Sequence, residues 1–136
     1  MRELLFFLFT ILFSCVHNDK EIKQGIIDPN DASEMALMMR DMFNQLEMIK
    51  NKIESGEDIS NELLQFIDIH KTKATDESFV IDDLKRMSIG FKKVVEKFNK
   101  LPSKRNYNLI VNNCISCHQG LCPGPLDRID NLILIK

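Results

Sequence analysis

Between residues 31 and 55 apolar side chains recur every three or four positions, at Met35, Met39, Met42, Leu46, Ile49 and Ile53. Spacings of four and three in alternation make a heptad seam, the pattern of a helix packed in a bundle. The other side carries Arg40, Asp41, Asn44, Glu47, Lys50 and Asn51, while Met38 and Met48 fall off the seam. Asn30 or Asp31 can cap the first amides, Glu34 puts negative charge in the first turn, and Gly56 suits a left-handed stop. A first helix is therefore predicted over about Asp31 to Ser55.

A second helix is predicted from Ser60, a good cap, to about Thr72, with a broad stripe of Leu63, Leu64, Phe66, Ile67 and His70. Lys71 to Glu77 reads as a polar connection. A third helix starts near Asp76 or Ser78 and runs to about Lys100, with Val80, Leu84, Met87, Phe91, Val94 or Val95, and Phe98 facing inward. Gly90 weakens it slightly. Pro102 and Ser103 break the chain and cap a fourth helix, which carries Tyr107, Ile110, Val111, Cys114 and Cys117 on one side. Gly120, Pro123, Gly124 and Pro125 end it. A short tail, Leu126 to Lys136, offers Ile129, Leu132, Ile133 and Ile135 for docking. No stretch alternates with period two, so no sheet is expected. The fold class is all-α: an antiparallel four-helix bundle, up-down-up-down, with short connections.

Ahead of the first helix the pattern changes. Met1-Arg2 is followed by a run from Leu4 to Val16 that is apolar apart from Thr10 and Ser14. That run is too short to span a bilayer comfortably and fits the core of a signal peptide. It ends in Leu12-Phe13-Ser14-Cys15, which resembles the cleavage and lipidation box of bacterial lipoproteins. The resemblance implies a signal peptide over residues 1–14 and a lipid on Cys15. Several acyl chains on one residue anchor stably. The plainer reading is an ordinary signal peptide with an incidental Cys. Residues 15–30 are polar, with Gly25 and Asp28-Pro29-Asn30, and read as a tether to one domain over residues 31–136. The mature chain is expected to be exported and held on the periplasmic side of a bacterial membrane.

A length of 136 residues allows one core, to which a large apolar cofactor would add useful contact. The net charge of −2 suggests no nucleic-acid partner. Lys92, Lys93, Lys97, Lys104 and Arg105 read as a solvated face that could also steer an acidic redox partner. Five of the seven methionines lie between residues 35 and 48. Thioethers commonly fill irregular core space, so most of these are packing residues.

The chemistry centres on Cys114-Ile115-Ser116-Cys117-His118, the C-x-x-C-H attachment pattern of a c-type haem. Thiols three residues apart share one helix face, which lets both reach the vinyl groups of one porphyrin. His118 can then offer an imidazole nitrogen to the iron as the proximal ligand. Three other readings stay open. The two thiols can form a disulfide in an oxidising compartment, or act as a redox C-x-x-C, which normally needs a βαβ context. They can also join His118 and Cys122 around zinc, in a cramped site. His70 reads as a half-buried packing histidine, His17 as a tether residue, and Cys122 carries no assigned role.

With the haem motif on its last helix and a Met-rich first helix, the chain resembles the class II c-type cytochromes, the cytochrome c-prime family. The resemblance covers about residues 31–122. It implies one haem c near one end of the bundle and the carriage of single electrons between redox proteins. Low-spin members take a methionine of the first helix as sixth iron ligand, and a related four-helix b-type cytochrome does the same. Its spacing to Met42, Leu46 and Ile49 matches Met39 to that ligand, with Met35 as the alternative. Met42 and Tyr107 are expected to pack against the ring. High-spin members leave the sixth site empty and bind small gases, which makes a five-coordinate gas binder or sensor one alternative. A non-haem lipoprotein adaptor with a structural disulfide is another. Relatives often pair through their first two helices, so a homodimer is also implied. The family usually continues the last helix past the haem histidine, with an Arg close behind. Here Gln119-Gly120-Leu121-Cys122-Pro123-Gly124-Pro125 must end the helix early, and Arg128 lies too far along to be equated with that Arg. No nucleophile, base or oxyanion constellation is visible, so an enzyme is not expected.

Wild-type protein should partition with membranes, and Cys15→Ala should release it or leave it unprocessed. A wholly soluble wild type with Val16 or a later residue as its free N-terminus would count against lipidation.

Overall fold

The structure, a computed structural model, describes residues 31–65 and 68–134. The expected signal peptide and tether, with Cys15 and His17, lie outside them, as do Phe66 and Ile67 of the expected second helix and Ile135 of the tail. The described residues are helical with no strand. Four α-helices are present among the described residues: α1 (Glu34–Ser55), α2 (Asp82–Lys100), α3 (Lys104–Leu121) and α4 (Leu126–Asp130). None is long and apolar enough to cross a membrane.

α1 begins at Ser33, whose hydroxyl accepts from the amide of Ala36 at 3.2 Å. That moves the cap two residues past the expected Asp31. The amide of Met35 finds the carbonyl of Lys73 at 3.1 Å, and Glu34 accepts from the amide of Lys73. Orphan donors of the first turn are thus satisfied partly by a distant segment. At the other end Gly56, at φ 78°, donates to Ile53 and Glu57 donates to Lys52. This pair is the Schellman motif, and the left-handed residue at its centre is why glycine suits the position.

The buried line of α1 is Met38, Met42, Leu46, Ile49 and Ile53. From Met42 onward it follows the heptad seam. Before that, Met38 is buried, and Met35 and Met39 are only partly so. A straight helix has 3.6 residues per turn, so a strict 3.5 seam drifts around its surface. Met35 and Met39 also keep some exposure because they face a hollow. Met48 is 59% exposed, off the seam as expected.

The expected second helix is corrected by the structure. Over the described part of residues 60–72 there is a turn and then one 3₁₀ turn, Ile69–Lys71. The start signal at Ser60 is spent on an Asx turn, in which Asp58 accepts from the Ser60 amide at 2.9 Å. Beyond it, backbone groups of Leu64 and Gln65 bond to side chains of the long helices. The amide of Leu64 donates to Asn99 Oδ1 at 2.9 Å and the Leu64 carbonyl accepts from Asn99 Nδ2 at 3.0 Å. The Gln65 amide donates to Gln45. Ile59, Leu64, Ile69 and Ala74 pin this segment to the core, while Leu63 is exposed. Side-chain partners and scattered anchors thus override the local helix pattern.

α2 starts later than expected. Asp76 caps a single 3₁₀ turn, Glu77–Phe79, and the helix begins at Asp82. Its buried face is Leu84, Ser88, Phe91, Val95 and Phe98. Ser88 takes the place expected for Met87, which is half-buried, and Val80 is exposed. Ser88 is tolerated because His70 Nδ1 lies 2.9 Å from its hydroxyl. Leu101 and Pro102 then turn the chain, and Ser103 caps α3 by accepting from the amide of Asn106 at 3.3 Å. α3 packs closely on α2, and α4 folds back onto α3.

Tyr107, Ile110 and Val111 of α3 are essentially shut off from solvent. The Tyr107 hydroxyl donates to the carbonyl of Leu132 at 2.8 Å and so fastens the chain after α4. Burial raises the phenol's pKa, so it remains a donor. Lys50 Nζ holds the neighbouring carbonyl of Asn131 at 2.8 Å. Tyr107→Phe leaves the Leu132 carbonyl buried without its donor, and should cost about 1–3 kcal/mol. Urea unfolding should show this as a lower midpoint with an unchanged slope; an unaltered midpoint would mean the bond contributes nothing.

Candidate functional site

The stripe of α3 that begins with Tyr107, Ile110 and Val111 continues at intervals of three and four through Cys114, Cys117, His118 and Leu121. Its first half is packed solid. Its second half, from Cys114 onward, meets a cavity of about 350 Å³. Met35, Met39, Met42, Phe43 and Leu46 of α1 line that cavity together with Cys114, Cys117 and His118 of α3. A second, smaller hollow of about 120 Å³ shares Met39, Met42, Cys114, Cys117 and His118 and adds Met87, Gly90 and Phe91 from α2. The same five side chains therefore border space on two sides. The larger volume falls within the range of small-molecule and cofactor sites, and its walls are mainly apolar.

His118 is held by the end of its own helix. The amide of Cys122 donates to the His118 carbonyl at 3.1 Å, and His118 Nδ1 lies 2.8 Å from the Cys122 carbonyl oxygen. A carbonyl can only accept, so Nδ1 carries a proton, and in the neutral imidazole the lone pair is on Nε2. This is the tautomer that a metal-binding imidazole needs, oriented by a backbone partner. Cys122 thus contributes through its main chain, a role that its side-chain chemistry did not suggest. The signal was present in Pro123-Gly124-Pro125: a helix forced to stop there exposes carbonyls one turn beyond His118.

Cys114, Cys117 and Cys122 are free thiols. Burial, with a smaller contribution from Cys117, pushes the Cys114 thiol up to about 12. Cys117 is raised too, by burial first and by Cys122 second. A redox-active C-x-x-C needs the opposite, a thiolate stabilised at a helix N-terminus or beside a cation. These thiols sit in the last turns of α3, at the negative end of the helix dipole. Among the described residues no three His, Cys, Asp or Glu side chains gather so as to hold a metal ion.

Met39 lines both spaces, as does Met42, whereas Met35 lines only the larger. Tyr107 lines neither and belongs to the packed core. His70 is engaged by Ser88 away from both. Two residues absent from the sequence reading of the site also border the larger cavity. Arg40, assigned by pattern to the outer face of the first helix, reaches its rim, and Arg128 arrives there from α4. The Arg128 guanidinium lies 4.2 Å from the centre of the Phe43 ring, a cation–π contact.

Neither family models, nor curated proteins, nor solved structures match this chain. The site is interpretable from its donors alone. Two half-buried thiols, one imidazole with Nδ1 bonded to a carbonyl and the thioether of Met39 border one apolar space. That donor set suits a c-type haem: Cys114 and Cys117 for thioether bonds, His118 Nε2 for the iron, and Met39 within the same walls.

In the haem-free protein, Cys114 should alkylate with iodoacetamide at pH 7 about a thousandfold more slowly than an unperturbed thiol, because only the thiolate attacks. The rate should climb about tenfold per pH unit. Rapid labelling of Cys114 at neutral pH, resolved by mass spectrometry, would contradict the apolar setting assigned to it.

Proposed function

We propose that this chain is an exported c-type cytochrome with one covalent haem, which passes single electrons between redox proteins. The observation that carries this reading is His118, with Nδ1 bonded to the Cys122 carbonyl, beside two protonated thiols on one apolar cavity. The haem supplies a one-electron iron couple. The chain's own residues hold, orient and shield it. Cys114 and Cys117 fix it to α3. The Cys122 carbonyl draws on the Nδ1 proton and makes Nε2 of His118 a better donor. Met39 would supply a second donor to the iron, with Met35 as the alternative; thioether ligation would raise the reduction potential. Leu46, Phe43 and Met42 keep water from the site, with Met42 packing against the ring. His118 and Met39, which would hold the iron, both sit on helices, so the chain itself would need to move little.

The finer architecture belongs to the same proposal. α1, α2 and α3 form an antiparallel bundle, residues 57–81 stand where a second helix was expected, and the haem lies near one end. Support comes from the cavity walls: the first turns of α1 meet the last turns of α3 there. The likeness to class II cytochromes supports the electron-carrier role, and the exposed Lys93, Lys97 and Lys104 suit an acidic partner. Cys15 as a lipid anchor would keep the carrier on the periplasmic face of a membrane.

Protein coexpressed with a c-type maturation system should retain a haem-sized mass after denaturation, and Cys114→Ala with Cys117→Ala should lose it. Haem stripped from the wild type by acid-acetone would refute the thioether bonds. Met39→Ala should turn a low-spin spectrum high-spin, lower the reduction potential and open the iron to carbon monoxide. Met42→Ala should mainly loosen packing. If Met35→Ala alone abolishes the low-spin signal, the ligand is one turn earlier. A wild type that is already high-spin, and indifferent to both substitutions, would favour a gas-binding protein.

A further inference from the structure

The larger cavity has a charge pattern of its own. Among the described residues, Arg40 and Arg128 are the only permanently charged side chains on its wall, and no Asp or Glu lines it. Neither arginine has an ion-pair partner among the described residues, whereas Arg86 on α2 is paired with Asp83. Both stand at an apolar hollow whose interior offers a ligand thiols, an imidazole and thioethers. An occupant of such a space needs a large apolar body and acidic groups at one edge.

From this pattern we infer that Arg40 and Arg128 bind the ligand's carboxylates, which in the proposed holoprotein are the two haem propionates; the inference rests on the haem reading. A carboxylate beside an apolar wall is costly unless it is paired. Guanidinium is the side chain whose donor fork matches it. Arg128 is held by its contact with the Phe43 ring, itself a wall of the cavity, so less freedom is lost when it engages an anion. Arg40 follows Met39 directly in α1 and lines the cavity while staying exposed to solvent.

The chain path explains how Arg128 comes to be there. α3 ends at Leu121, and Cys122 to Pro125 turn the chain into α4, which packs back on α3. By spacing along the sequence Arg128 matches no arginine that follows directly after a haem histidine. Through this reversal it reaches the same cavity as His118. Arg40 of α1 and Arg128 of α4 would hold the acidic edge of the ring, and His118 would hold its iron.

The test uses full-length haem-loaded protein. Arg40→Gln, Arg128→Gln and the double variant are compared with wild type and with Arg86→Gln, which lies outside the cavity. Covalent haem mass, reduction potential and the propionate bending band in resonance Raman spectra are read for each. The expected result is a shifted propionate band and a lowered potential in each cavity variant, largest in the double, with haem mass kept. Arg128→Lys should restore part of both shifts. If both cavity variants match Arg86→Gln in band and potential while carrying haem, the carboxylate assignment is overturned and the haem reading stands. A wild type that takes up no covalent haem overturns both.

Discussion

Tyr107, Ile110 and Val111 sit in the core with essentially no solvent contact, and that packed turn of α3 sets where everything after it points. A helix advances rigidly, so once one turn is locked against its neighbours, residues three and four further on inherit the same face. Cys114, Cys117 and His118 are directed inward for this reason. The first half of α3 is anchored by bulky side chains, and the second half faces space that the surrounding side chains do not fill.

The end of α3 does two jobs at once. Helix termini must find partners for their last carbonyls, and here the His118 carbonyl takes the Cys122 amide while the imidazole takes the Cys122 carbonyl. The stop that satisfies the backbone therefore also fixes the histidine tautomer. Pro123-Gly124-Pro125 cannot continue a helix, so the chain reverses and Leu132 and Asn131 are fastened by Tyr107 and Lys50. That reversal returns Arg128 to the cavity. A longer α3, as in the class II pattern, would place its arginine by helical spacing instead; this chain reaches the cavity through a turn.

The thiols fit this arrangement electrostatically. Burial in apolar surroundings at the negative end of a helix keeps Cys114 and Cys117 protonated. Protonated thiols resist unwanted disulfide exchange. They remain free in the folded chain.

The three long helices were legible in the sequence, because heptad spacing, Ser103 as a cap and Gly56 as a stop act within one or two turns of chain. So was the convergence of Cys114, Cys117 and His118 on one face, a consequence of helical geometry alone. The N-terminal signal and Cys15 rest on sequence pattern only. Other features depend on residues far apart. Residues 60–72 carry a helix pattern, yet Asn99, Gln45 and the core determine their path. Met38 rather than Met35 and Met39 is buried in the first turns of α1, because those two face a cavity that exists only once α3 and α4 are in place. Cys122 gains its role through a carbonyl, and Arg128 through a reversal of the chain. Local periodicity decides which face of a helix is apolar; what that face meets, packed side chain or open space, is decided only when distant segments come together.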